Sequence, residues 1–338
     1  VDLKRDNDQQ TDPVKGEIGL HSAPIVVGDT IVIGAAHLAG GAPRSKSNEK
    51  GYIRGYGVRT GERLWIFHTI PRPGEFGNDT WLNDSWSYTG NAGVWAQMSA
   101  DPELGLVYLP VELPTGDYYG GHRPGNGLFG ESIVALDVKT GQRKWHFQLV
   151  HHGIWDFDIP CAPILVDIVV NGKPIKAIAQ PTKQNWVYVF DRTNGQPVWP
   201  IEERPVEKGE VPGEWYSPTQ PFVTKPPAFD RHGVAIDELI DFTPELRAEA
   251  IKVASRYKLG PMFTPPVVSK WEGPLGTLTL PTATGGANWQ GGSFDPESKI
   301  MYVFSNTSIG VRGNIPSDPA RTDFTWINGV ASDPALGR

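Results

Sequence analysis

Leu136-Asp137-Val138-Lys139-Thr140-Gly141-Gln142-Arg143-Lys144-Trp145 decides the fold, because the chain contains this pattern three times. Tyr56-Gly57-Val58-Arg59-Thr60-Gly61-Glu62-Arg63-Leu64-Trp65 precedes it, and Phe190-Asp191-Arg192-Thr193-Asn194-Gly195-Gln196-Pro197-Val198-Trp199 follows it. Each copy has an apolar run, a polar turn closed by Gly, and then a strand with Trp four residues after that Gly. Self-similarity of this kind marks a repeat architecture. The Gly can adopt the positive φ that a tight hairpin turn requires. The Trp is large enough to fill a gap between neighbouring sheets. A sheet repeated with Trp between copies reads as an all-β fold, a β-propeller.

Composition agrees. Among 338 residues there are 39 Gly, 31 Pro and 12 Trp, which suits many strands joined by turns and argues against disorder. The net charge of −7 and the lack of any Lys/Arg block leave nucleic acid a poor partner. No stretch reaches the apolar length of a membrane span. The single Cys161 excludes an internal disulfide. Val1 in place of Met reads as a processed or partial chain.

Residues 1–16 read as a polar arm or linker, and 17–338 as the propeller. Turn signals predict a hairpin around Gly28-Asp29 and another around Asn171-Gly172. Strands are expected over 93–99, 105–112, 276–280 and 300–304. The stretch 200–235 reads as irregular, and the tail after Asn314 as a loop. One helix is expected: Thr243 is its N-cap, Pro244 its first residue and Gly260 its stop, with Leu246, Ala250, Val253 and Tyr257 as an apolar stripe.

The densest polar constellation is His151-His152-Gly153-Ile154-Trp155-Asp156-Phe157-Asp158. It reads as a solvated loop whose Asp residues cap turns, as carboxylate ligands for a hard cation, or as a general base beside one. Lys183 precedes a strand, where it is either solvated or bonded to an anionic or quinone oxygen. Gly285-Gly286-Ala287-Asn288-Trp289 is a tight corner or a surface that lets a flat group approach. Trp95 is core or a stacking platform.

Taken in order, these pieces resemble the pyrroloquinoline quinone (PQQ)-dependent dehydrogenases, and most of all the bacterial membrane-type quinoprotein glucose dehydrogenases. The likeness runs from about residue 22 to 305. It includes Ile53-Arg54-Gly55, the strand 101–110, Gly120-Gly121-His122-Arg123, Thr219-Gln220-Pro221-Phe222 and Phe263-Thr264-Pro265-Pro266. The resemblance implies an eight-bladed propeller, of which this chain supplies four to five blades and one helix. It implies Asp156 as catalytic base and Lys183 on the quinone oxygens. It implies Trp95 as the floor under the ring, and Asn288, Trp289, Arg54 and Arg123 at or near the cofactor. Glu49, Asp156 and Glu112 are the implied ligands of Ca²⁺ or Mg²⁺. Glu112 stands where the alcohol-oxidising branch has an Asn, and Gly34-Ala35-Ala36-His37 stands where that branch has paired cysteines. The substrate implied is an aldose or alcohol, with His151-His152 favouring the sugar. The electron acceptor implied is ubiquinone or a cytochrome, and the location is the periplasm, at the inner membrane. The competing reading is a cofactor-free propeller used as a binding scaffold, which has no reason to keep Asp156, Lys183, Trp95 and Asn288-Trp289 together.

Overall fold

The computed structural model describes residues 18–19, 22–37, 40 and 43–336. The arm expected over 1–16 lies outside them.

A short ladder joins β1 (Ile18–Gly19) to β4 (Ala36–His37). The first large sheet runs in the order β2 (Ile25–Val27), β3 (Thr30–Ile33), β5 (Ile53–Gly57), β6 (Arg63–Phe67), every pair antiparallel. The second is a meander of β7 (Ser99–Asp101), β8 (Leu106–Pro110), β9 (Ser132–Asp137) and β10 (Arg143–Gln148). The third has β11 (Ile164–Val170), β12 (Lys173–Pro181) and β13 (Val187–Asp191). The hairpin pair β14 (Ile201–Pro205) and β15 (Thr219–Val223) follows. Then come α1 (Pro244–Ala254), β16 (Val267–Val268), β17 (Thr277–Thr279), β18 (Gly292–Asp295), β19 (Ile300–Val303), β20 (Gly310–Pro316) and β21 (Trp326–Asn328). β18 pairs β19, while β20 holds β16, β17 and β21.

The repeat explains how the sheets stack. Gly61, Gly141 and Gly195 have φ of 68°, 69° and 78°, so each closes its turn in the left-handed region. Trp65, 7% exposed, donates its indole N–H to Val138 O in the second copy at 2.8 Å. Trp145 repeats the move, donating to Arg192 O in the third copy at 3.0 Å. Each Trp thus lies on the turn glycine of the next sheet. A Cβ on Gly141 would stand 2.6 Å from the Trp65 ring, and one on Gly195 would stand 2.7 Å from Trp145. The core fills the spaces between sheets. Val32, Ile53, Val107 and Val134 pack with Trp65, and Ile133, Ile178, Tyr188 and Phe190 with Trp145. This blade-on-blade stacking is the propeller arrangement. The third copy departs from it. Pro197 lacks the N–H a ladder needs, and Trp199 is only half-buried.

Gly141→Ala is expected to cost more stability than Gly172→Ala. Both positions have positive φ (69° and 77°), but a Cβ at Gly172 meets nothing within 4 Å. Backbone strain is common to both, and overpacking adds about 1–3 kcal/mol at Gly141. Urea unfolding of both variants checks this, and equal costs would remove the docking role of Trp65.

Four expectations are corrected. No strand covers 93–98. Asn91 and Ala92 sit at φ 58° and 53°, which turns the chain out of extended geometry before Trp95. The region 200–235 contains the β14–β15 pair. The tail continues as β20 to Pro316, and β21 returns to pair with it. The helix keeps its cap, with Thr243 Oγ1 accepting from Leu246 N at 3.2 Å, but it ends at Ala254. Lys258 is drawn into backbone bonds with Gly276 and Leu278, which stops the helix short of Gly260. Leu246 and Val253 are exposed, and Ala254 is the buried residue.

Candidate functional site

The His-His-x-x-x-Asp loop follows β10, and Lys183 follows β12, so the ends of strands in two consecutive sheets bring them together. The loop backbone is unusual. Glu131, His152, Asp156 and Asn185 have φ of 47°, 47°, 59° and 63°. Such positions cluster where surrounding structure holds a site in a strained geometry.

Lys183, 4% exposed, is the hub. Its Nζ donates to Asp156 O at 2.9 Å and Asp156 Oδ1 at 3.0 Å, and lies 3.6 Å from Asp158 Oδ2. Trp95 Nε1 donates to the same Asp158 oxygen at 3.3 Å, and Leu113 N donates to Asp158 Oδ1 at 2.8 Å. Tyr118 OH donates to Asp156 Oδ2 at 3.2 Å. One polar chain therefore runs Trp95–Asp158–Lys183–Asp156–Tyr118. The side chain of Asp156 keeps 19% exposure, so the network opens there. Glu112 lies alongside, its Oε1 accepting from Gly93 N at 2.9 Å.

The electrostatics follow from many acids around one base. Burial pushes Asp156 up to about 6, against the pull of the Lys183 charge, and Asp158 adds to the rise. Glu112 is held well above the carboxylate range by burial and then by Asp158, and Asp117 by burial and then by Asp156. Burial opposes the charge on Lys183, but the Asp156 and Asp158 carboxylates outweigh it and raise its pKa. The ammonium stays charged.

The remaining expected residues take varied places. Arg123, 1% exposed, is used on backbone carbonyls: Thr115 O at 3.0 Å, Gly116 O at 2.9 Å and Gly153 O at 2.7 Å. It ties the 115–117 loop to the Asp156 loop. Arg54 is half-buried on β5 and donates to Tyr52 O at 3.0 Å. Glu49 is half-buried, and its carbonyl accepts from Asn91 N at 2.8 Å, four residues before Trp95. Asn288 O accepts from Cys161 Sγ at 2.9 Å. The Gly285-Gly286 turn before Asn288 packs on the Lys183 stem, and Gly286 N donates to Lys183 O at 3.1 Å. Trp289 is 65% exposed. Both histidines hold structure. His151 bonds Gln148 and Glu203, while His152 is sealed between Gly125 O and Glu214 Oε1, each at 2.9 Å.

Sequence reasoning missed Asp117, Tyr118 and Glu214. Asp117-Tyr118 lies one residue before the quoted Gly120-Gly121 segment, so the signal lay close to it. Glu214 had none: it sits in a Pro-rich stretch and meets His152 and Gly120 only in three dimensions.

The donor set fits a quinone. Two of the three Lys183 N–H groups are engaged at short distance with Asp156, and the third faces only the longer Asp158 contact. The half-buried indole of Trp95 is joined to the same network. The excess of acid suits a divalent cation in charge. Among the described residues, however, no three His, Cys, Asp or Glu side chains converge to hold one. Glu49, Asp156 and Glu112 are therefore not brought together as a ligand set.

Comparison with known proteins adds to this geometry. Residues 1–329 match the family model described as PQQ: glucose/ethanol/alcohol dehydrogenase, beta-propeller domain. Quinoprotein glucose dehydrogenase of Escherichia coli is 36% identical over 302 residues, covering 88% of this chain and 36% of that protein. Quinate/shikimate dehydrogenase (quinone) of Acinetobacter baylyi is 32% identical over 296 residues, covering 83% of this chain and 34% of that protein. The crystal structure of quinohemoprotein alcohol dehydrogenase from Comamonas testosteroni superposes with a TM-score of 0.61 at 24% identity, over 89% of this chain and 39% of that one. This last likeness concerns the fold. The chain spans about a third of the length of the relatives it matches.

Proposed function

The chain belongs to the PQQ-dependent glucose/ethanol/alcohol dehydrogenase β-propeller family, and from this we propose that it forms the site of an oxidoreductase acting on a CH–OH group of a sugar or alcohol. The observation that carries the reading is the polar chain from Trp95 through Asp158 and Lys183 to Asp156, opening at Asp156.

Trp95 and Lys183 would hold the quinone. Bound there, PQQ supplies the hydride acceptor. Asp156 accepts the substrate hydroxyl proton at its carboxylate, the general-base role its exposure permits. Lys183 and Tyr118 grip its two oxygens and fix its direction. Lys183 also supplies a fixed positive charge beside the reacting atoms, where a preorganised charge is most effective. Arg123 and Glu214 brace the loops that carry these groups. Ca²⁺ or Mg²⁺ belongs to the reading as a second component, with no ligand set assigned to it. Ubiquinone or a cytochrome is the proposed acceptor, and the periplasm the proposed compartment. Among the described residues no helix is long and apolar enough to cross a membrane.

The test is reconstitution of the full-length protein with PQQ and Ca²⁺, followed by dye reduction with glucose, glycerol and ethanol. Failure with every substrate would sink the reading. The pH profile carries a second expectation. A base works only when deprotonated, and burial has moved Asp156 up to about 6. The ratio kcat/KM should therefore be flat above about pH 7 and fall towards tenfold per pH unit below about pH 6. A profile level down to pH 4.5 would exclude Asp156 as the base.

A further inference from the structure

Among the described residues, one cation beside the site makes no ion pair. Arg312 lies on β20, half-buried, with its guanidinium 4.8 Å from the centroid of the Tyr118 ring. That ring ends in the hydroxyl bonded to Asp156 Oδ2. The placement is fastened from both sides. Asn314, two residues on, donates to Tyr118 O at 3.1 Å, and Thr277 on β17 is the register partner of Arg312. Nη1 donates to Val311 O at 2.9 Å. Nε is buried without a hydrogen-bond partner, and among the described residues no carboxylate forms an ion pair with this guanidinium. The nearby acids instead engage one another's neighbours: Asp156 and Asp158 face Lys183, and Glu112 takes Gly93 N.

A guanidinium is a planar fork matched to a carboxylate, and leaving its donors unmade in a half-buried setting is costly. We infer that Arg312 anchors the carboxylate of a hydroxy-acid substrate whose oxidised carbinol lies at Asp156, the guanidinium standing over the ring of the tyrosine that bonds this base. This deepens the proposed function and rests on it. The Asp156 and Asp158 carboxylates around Lys183 would otherwise repel an anion, so a positive group at this edge of the site is what an anionic substrate requires. The guanidinium over the Tyr118 ring and the base at the Tyr118 hydroxyl share one tyrosine, which suits a polyhydroxylated compound that carries both a carboxylate and the reacting hydroxyl.

The test uses the full-length protein loaded with PQQ and Ca²⁺, with quinate and its uncharged amide as probes. The readout is the ratio of kcat/KM for acid over amide, which cancels losses common to both. The wild type should prefer the acid, and Arg312→Ala should lower the ratio about 10- to 100-fold, the worth of one charge-assisted bidentate contact. Arg312→Lys should retain part of it, because charge survives without the fork. Equilibrium dialysis of PQQ with each variant separates the other source of carboxylate, the cofactor itself. Weaker PQQ binding with an unchanged ratio would overturn the inference, as would an unchanged ratio with unchanged binding. Oxidation of glucose but neither probe would overturn it while leaving the proposed function standing. Oxidation of no CH–OH compound at all would remove both.

Discussion

Lys183→Ala is expected to lower turnover about 10²- to 10³-fold and to destabilise the fold by about 3 kcal/mol at pH 7. Among the described residues Lys183 is the one cation that contacts Asp156 and Asp158 by ion pair, and Glu112 and Asp117 also feel its charge. Removing it leaves buried carboxylates facing each other. Their escape is protonation, so the penalty depends on pH with a fixed sign. Asp156, Glu112 and Asp117 have folded-state pKa values above their unfolded values. The folded state therefore holds protons the unfolded state has released, and stability falls as pH rises. Without Lys183 the pKa values rise further, and the deficit against wild type should shrink as pH is lowered from 7 towards 5. Urea unfolding at several pH values measures this. A deficit that is constant with pH, or absent, would show that the lysine does not balance the acids.

Asp156→Asn should separate chemistry from folding. The amide oxygen can still accept from Lys183 while its NH2 donates to the Tyr118 hydroxyl, which reverses that bond, and one negative charge leaves an acid-rich cluster, so stability should be kept or slightly raised. Turnover should fall about 10²- to 10⁴-fold, the usual worth of a positioned base. Thermal unfolding and steady-state dye reduction check the two halves. Near wild-type turnover would exclude the proton-acceptor role, and a collapse in stability would recast Asp156 as structural.

The legible parts of this protein are those governed by local patterns. Gly61, Gly141 and Gly195 demand positive φ, and the spacing to Trp65 and Trp145 fixes which surface meets the next sheet, so the repeat by itself announces the blades. Asp156 is legible as part of a dense polar loop, and the family resemblance points to Lys183 and Trp95 beside it; the three do form one network. What stayed hidden is set by tertiary contact. Trp95 looked strand-borne because Val94, Trp95 and Ala96 are apolar, yet Asn91 and Ala92 turn the backbone away. Arg123 resembled a ligand-binding arginine, yet the loop carbonyls of Thr115, Gly116 and Gly153 claim it. His151-His152 suggested a sugar contact, but both rings are occupied by protein partners, His152 with a glutamate 62 residues on. Arg312 carries no sequence signal, since its meaning depends on Tyr118 lying beneath it.

The central claim is that Trp95, Lys183 and Asp156 line one quinone pocket with a base at its open edge. Anaerobic single turnover on full-length PQQ-loaded protein addresses it most directly, because it reads the bound quinone's absorbance and bypasses the electron acceptor. The account predicts that wild type loses the oxidised-quinone signal on adding substrate, that Asp156→Asn binds the quinone but keeps its signal, and that Lys183→Ala binds it weakly. Equal bleaching in wild type and Asp156→Asn would contradict it.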